Sequence, residues 1–114
     1  MPQKHILPAL ANAVNGREDK FNEWYSNRHL ADLMAIPGVV AAQRYSLSEV
    51  QRMAPPYPFG FLAIYEIEID DLQSVLEALG KRANTPAMPI SPAMAPNSLI
   101  LNFTPLGERV QAAA

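Results

Sequence analysis

Phe59 to Ile69, FGFLAIYEIEI, is the stretch that most limits what this chain can become. Successive side chains of an extended strand point to opposite faces. Phe61, Ala63, Tyr65, Ile67 and Ile69 therefore share one face, and Leu62, Ile64, Glu66 and Glu68 share the other. The first half is apolar on both sides, so the strand needs cover on both sides. The chain is 114 residues long, room for one core, and we expect one domain over residues 1–114.

The other elements follow from period and punctuation. Lys4 to Val14 is rich in small apolar residues and predicts a first strand, with a bulge or bend at Pro8, which donates no ladder hydrogen bond. Arg17 to Gly38 predicts one helix. Asn15 or Gly16 can cap it, acidic residues sit in its early turns, and Ile36-Pro37-Gly38 ends it. Val39 to Leu47 predicts a second strand, with Val39, Ala41, Gln43 and Tyr45 on one face. The prolines between Ser48 and Pro58 predict a loop. Asp70 can cap a second helix, Asp71 to Arg82, with Leu72, Val75, Leu76 and Leu79 as its stripe. Ala83 to Asn97 holds four prolines and predicts a long loop, ordered by contacts more than by hydrogen bonds, over the mouth of a pocket. Ser98 to Thr104 is the last strand, and Leu106 to Ala114 a tail that can cross to a partner.

The order β-α-β-β-α-β is that of a ferredoxin-like α+β fold with a four-stranded antiparallel sheet. Two helices cover one face of such a sheet and leave the other bare. A second copy of the sheet is the economical cover, and it predicts a homodimer.

Composition narrows function. The net charge is −2 with no long run of one sign, so no basic face for nucleic acid is expected. There is no cysteine, which removes thiolate catalysis and cysteine-ligated metals. No apolar run reaches the roughly 18 residues of a membrane helix, and a cytoplasmic protein is the expectation. Glycine fingerprints for dinucleotides or phosphates are missing, as is a serine nucleophile motif. General acid–base chemistry, or binding without chemistry, remains.

The first helix carries the residues for it. At roughly 100° per residue, Phe21, Trp24, Tyr25, Arg28, His29 and Asp32 fall in one broad stripe, with Leu30 and Met34 roughly opposite. His29 titrates near working pH and can move a proton in a cleft. Tyr25, one turn before it, can share that proton; Asp32, three residues on, can fix its tautomer. The alternative is a histidine that satisfies buried polar groups beneath the helix. Phe21 and Trp24 serve a core or a ligand. Asn12 can bond a ligand, His29 or a turn. Arg44 can pair with Asp32 or Glu66, or take an anionic group. Tyr65 needs a partner for its hydroxyl. Tyr45 and Tyr57 are rim candidates, and His5 is expected at the surface. His29 and Asp32 are two metal ligands where three or four are needed, so no metal is expected.

The run WYSNRHLADLMAIPGVVAAQRY resembles the "WY…HLPD…IPG…QR" stretch of the EthD-like proteins, of the dimeric α+β barrel superfamily. The likeness runs loosely over nearly the whole chain. It departs at Ala31, where that family has proline. The resemblance implies two sheets closing into a barrel with helices outside, and it favours a functional His29. That superfamily hosts cyclases, isomerases, lyases and cofactor-free oxygenases, so fold alone does not give the reaction. The expectation is a cofactor-independent lyase, cyclase or isomerase for a small apolar, aromatic or polyketide-like substrate. A cofactor-free monooxygenase and a non-catalytic small-molecule-binding or accessory protein are the alternatives.

Overall fold

The computed structural model describes residues 2–113. Four antiparallel strands, β1 (Lys4–Ala11), β2 (Val39–Ser46), β3 (Phe61–Glu68) and β4 (Leu99–Ile100), lie in the order β2-β3-β1-β4. This is the ferredoxin-like arrangement, and β3 is central as its two-sided apolar half requires. Helices α1 (Glu18–Trp24), α2 (Leu30–Met34) and α3 (Leu72–Arg82) complete it. A π-turn, Tyr25–His29, joins α1 to α2 without a break, and Leu30 N–H donates to the Tyr25 carbonyl five residues back.

The π-turn has a cause in side-chain spacing. Phe21, Tyr25, His29 and Leu33 are all buried, and each is four residues from the next. In a regular α-helix a step of four overshoots one turn by about 40°. Three such steps would carry Leu33 far from Phe21. A wider turn in the middle brings the four back onto one line. The expected stripe was broader: Arg28 is exposed and Asp32 half-buried, while Leu33 replaces them and Leu30 packs partly against the core. Arg17, not Asn15 or Gly16, occupies the cap position, and Gly16 N–H is held instead by the Glu18 carboxylate. At α3 the cap position is Asp71 rather than Asp70, with no side-chain cap bond.

The core sits between the helices and one sheet face. Leu7, Tyr65 and Ile67 from the sheet meet Phe21, Leu33 and Val75 from the helices, all essentially out of water. Burying a side chain of this size contributes about 1.5–3 kcal/mol. Gly38 makes the turn into β2 with φ +100°, and a Cβ there would stand 2.9 Å from Ile69 Cδ1. Immediately after it a bulge leaves Val40 unpaired, between Val39↔Ile67 and Ala41↔Glu66. The bulge changes the expected faces: Val39 is buried, and from there Ala42 and Arg44, rather than Ala41 and Gln43, turn to the helices.

β1 runs straight through Pro8, which pairs with Ile64 in unbroken register, so neither bulge nor bend forms. The cost falls on the other neighbour. Leu101 N–H donates to the Pro8 carbonyl, and Pro8 has no N–H to return the bond. The β1–β4 ladder therefore splits: Leu99–Ile100 pair before that point, and Ile6 and Phe103 pair beyond it. This is why β4 is shorter than the expected Ser98 to Thr104. Thr104 itself bonds to His5 Nδ1 at 2.9 Å, and His5 is buried, not at the surface.

The second sheet face is apolar and open. Ile6, Tyr45, Leu99, Leu101 and Phe103 all keep about two-fifths to half of their surface in water. Beyond them Leu106 to Ala113 is exposed; Ala114 lies outside the described residues. Among the described residues, no helix is long and apolar enough to cross a membrane.

Candidate functional site

Small residues on β1 leave room beneath the first helix. Ala9 and Ala11 line a cavity of about 110 Å³ where bulkier strand residues would fill it. Tyr25 and His29 of the π-turn form one wall and Leu79 of α3 the opposite one. Met88, Ile90 and Met94 roof it, and exposed Ser98 and Ile100 stand at its mouth. The roof belongs to the four-proline segment. It is tied down by backbone hydrogen bonds as well as contacts, which corrects the expectation: Val14 N–H donates to Ala93 O, Ala95 N–H to Asn12 O, and Asn84 N–H to Met88 O. Met88 and Ala93 are buried.

His29 is 8 % exposed, and its Nδ1 has no hydrogen-bond partner among the described residues. The ring stacks on Trp24 with centroids 4.6 Å apart and 28° between planes, and meets the Tyr25 ring edge-on at 4.8 Å. Burial lowers its pKa to about 4, with nearby Asp32 opposing the shift and Arg44 adding to it. At neutral pH the imidazole is uncharged. Trp24 is fixed in turn, since its indole N–H donates to Pro89 O at 3.2 Å. The ring beneath His29 is thus anchored to the roof segment.

The Tyr25 hydroxyl accepts a hydrogen bond from the Tyr65 hydroxyl at 3.1 Å, wholly inside the protein. Burial raises the pKa of both phenols, so both stay protonated. The Arg44 guanidinium lies 4.6 Å from the centre of the Tyr25 ring and is not part of the cavity lining.

Of the residues singled out from sequence, Tyr25 and His29 line the cavity. Asp32 does not hold His29; both its oxygens bond Arg28 Nε, at 2.9 and 3.0 Å, because residues four apart meet on the outer helix surface. Arg44 forms neither expected ion pair. It donates to Asn22 and Ser26 on α1 and the π-turn, and its guanidinium carbon lies 5.5 Å from the centre of the Phe21 ring. Asn12 is a turn residue, bonded to Pro58 O and Gly60 N–H. Phe21 is core, Trp24 backs His29, and Tyr65 backs Tyr25. Tyr45 and Tyr57 bond to Gln43 and Met53 and lie outside the cavity lining. The roof residues Met88, Ile90 and Met94 went unrecognised. Their signal was there: apolar side chains alternating with prolines in a segment too long to float free.

Larger hollows, of about 420, 240, 220 and 210 Å³, lie against Gln3 and Thr104, against Glu66 and Glu68, against Tyr45 and Leu47, and against Asn22 and Arg44. None of these includes His29. Among the described residues no three His, Cys, Asp or Glu side chains cluster as metal ligands would.

No protein-family model matches the chain, and no curated protein matches it in sequence. Solved structures do match in shape. A proposed monooxygenase of Shewanella loihica PV-4 superposes with a TM-score of 0.58 at 12 % identity, covering 95 % of this chain and 99 % of its own. An ethyl tert-butyl ether D (EthD) family protein of Bacillus halodurans C-125 gives 0.57 at 18 %, covering 94 % and 99 %. The chain has the fold of the EthD-like proteins. A dimeric ferredoxin-like protein of unknown function from Thermobifida fusca YX gives 0.56 at 13 % identity, covering 91 % and 92 %. The likeness is one of fold, and this chain's chemistry rests on its own cavity.

Proposed function

We propose that this chain is a homodimeric, cofactor-independent enzyme of the lyase, cyclase or isomerase class. Its substrate is a small, mostly apolar molecule of aromatic or polyketide-like character. The observation that carries this reading is a neutral imidazole in the wall of an apolar cavity beside a phenol, its Nδ1 enclosed and without a hydrogen-bond partner among the described residues. A satisfied structural histidine would have bonded both nitrogens. His29 takes a proton from the substrate next to a carbonyl or phenolic group. The electron pair left on carbon moves onto the carbonyl oxygen, and the proton is returned at another position or lost with a leaving group. Met88, Ile90 and Met94 give the site an apolar lining, in which the charge that develops is felt strongly. Asp32 does not orient the ring, being engaged with Arg28.

A second copy on the open sheet face fits the apolar row from Ile6 to Phe103, and the Thermobifida fusca neighbour is described as dimeric. Stable interfaces bury more than about 1,000 Å² in total. Sedimentation should show twice the chain mass at low micromolar concentration. A cytoplasmic location goes with this reading. The Shewanella neighbour is described as a proposed monooxygenase, and a cofactor-free oxygenation here would begin with the same deprotonation.

The test is carbon-bound proton exchange in heavy water, followed by NMR over a panel of small ketones, diketones and phenols. The wild type should accelerate exchange of at least one compound, and His29→Ala should lose most of that rate. Compounds that bind without accelerated exchange would make this a binding or accessory protein instead.

A further inference from the structure

The cavity contains a second specification, in the direction of one hydrogen bond. Tyr65 stands in the middle of β3, opposite Leu7 on one side and Ala42 on the other, and is fully buried. Its hydroxyl has one partner among the described residues, the Tyr25 hydroxyl. A buried hydroxyl left without an acceptor for its hydrogen is costly. Tyr65 must therefore donate, and Tyr25 must accept. The hydrogen of Tyr25 then has no acceptor on the protein, and Tyr25 lines the cavity. A phenol whose lone pair is already engaged is also a stronger donor. The lining holds no carboxylate, ammonium or guanidinium. An ionised ligand would enter it uncompensated, which is expensive in an apolar site.

We propose that the cavity recognises a neutral small molecule through a carbonyl-type acceptor oxygen, with Tyr25 as the donor and Tyr65 as the positioning residue that commits Tyr25 to donating. This rests on the enzyme reading above and narrows its substrate to uncharged carbonyl compounds. The scale fits: an apolar cavity of about 150 Å³ takes benzene, and this one, about 110 Å³ with two flexible methionines in its roof, takes a small ring.

The experiment compares cyclopentanone with methylenecyclopentane, the same shape without an acceptor. Binding is measured by ligand-observed NMR to wild type, Tyr25→Phe and Tyr65→Phe. Wild type should favour the ketone over the alkene by about three- to tenfold, the worth of one buried hydrogen bond. Tyr25→Phe should abolish that preference, and Tyr65→Phe should reduce it with alkene binding unchanged. Equal loss of both ligands in Tyr65→Phe would make Tyr65 merely structural. An unchanged ratio in Tyr25→Phe, or no binding of either ring by wild type, would overturn the proposal. Because the ratio needs no turnover, it can fail or hold independently of the exchange assay. If a tyrosine variant does not fold, the carbonyl stretch of bound cyclopentanone in wild type decides. A shift to lower wavenumber supports the donor, and an unshifted band contradicts it.

Discussion

The two helical layers do the same job with different spacings. α3 buries Val75 fully and Leu72 and Leu79 in part, three and four residues apart, and a regular helix presents such a stripe without distortion. The first helix buries Phe21, Tyr25, His29 and Leu33, always four apart, and needs the π-turn to do so. α3 contributes one hydrocarbon wall to the cavity, Leu79. The π-turn contributes both of the cavity's buried polar groups. A uniform step of four, with a histidine in it, sets the first helix apart from the ordinary packing of α3.

The difference can be broken by paired substitutions. His29→Ala should lower exchange activity by about two to four orders of magnitude, the usual worth of a positioned proton-transfer group, and keep the fold. Leu79→Ala, across the same cavity, should enlarge it and alter binding while leaving the proton-transfer step within about tenfold. Equal losses from both would mean that cavity shape, not the imidazole, sets the rate. Phe21→Ala should destabilise by about 3–5 kcal/mol in denaturant melts, and Val75→Ala by about 2 kcal/mol. Both are core positions, so this pair measures packing alone.

Acid sharpens the comparison further. With a folded pKa of about 4 against an ordinary value of 6.5, the unfolded chain takes up His29's proton first as pH falls. Stability is full above pH 6.5, falls as pH drops toward 4, and loses no more from this group below that. The total is at most about 3 kcal/mol. His29→Ala should flatten that part of the pH–stability curve, whereas a substitution on α3 should leave it. The smallest effect belongs to Asp32→Asn. Its pair with half-exposed Arg28 is worth under about 1 kcal/mol, and activity should be unchanged.

Sequence carried the fold because β3 is apolar on both faces in its first half and because proline and glycine mark the boundaries. It carried the faces less well. One extra residue, Val40, reverses the facing of β2, and nothing in VVAAQRYS announces a bulge. Pro8 did announce a defect, but whether it harms β3 or β4 depends on which neighbour its missing N–H would face. His29 and Tyr25 were legible as a chemical pair on a helix. Their real neighbours were not, since Tyr65, Trp24's anchor at Pro89 and the methionine roof arrive from distant parts of the chain. Asp32 misled because three residues is within reach, yet Arg28, four residues away on the outer surface, takes both its oxygens.

The central claim is that the first helix holds a neutral imidazole in an apolar cavity. A titration of the His29 ring by heteronuclear NMR, assigned against the His29→Ala spectrum, tests it without needing a substrate. The account predicts a midpoint about 4, with the neutral ring dominant at pH 5. A midpoint near 6.5 would contradict it, because such a ring is solvated and the cavity is not the dry site described.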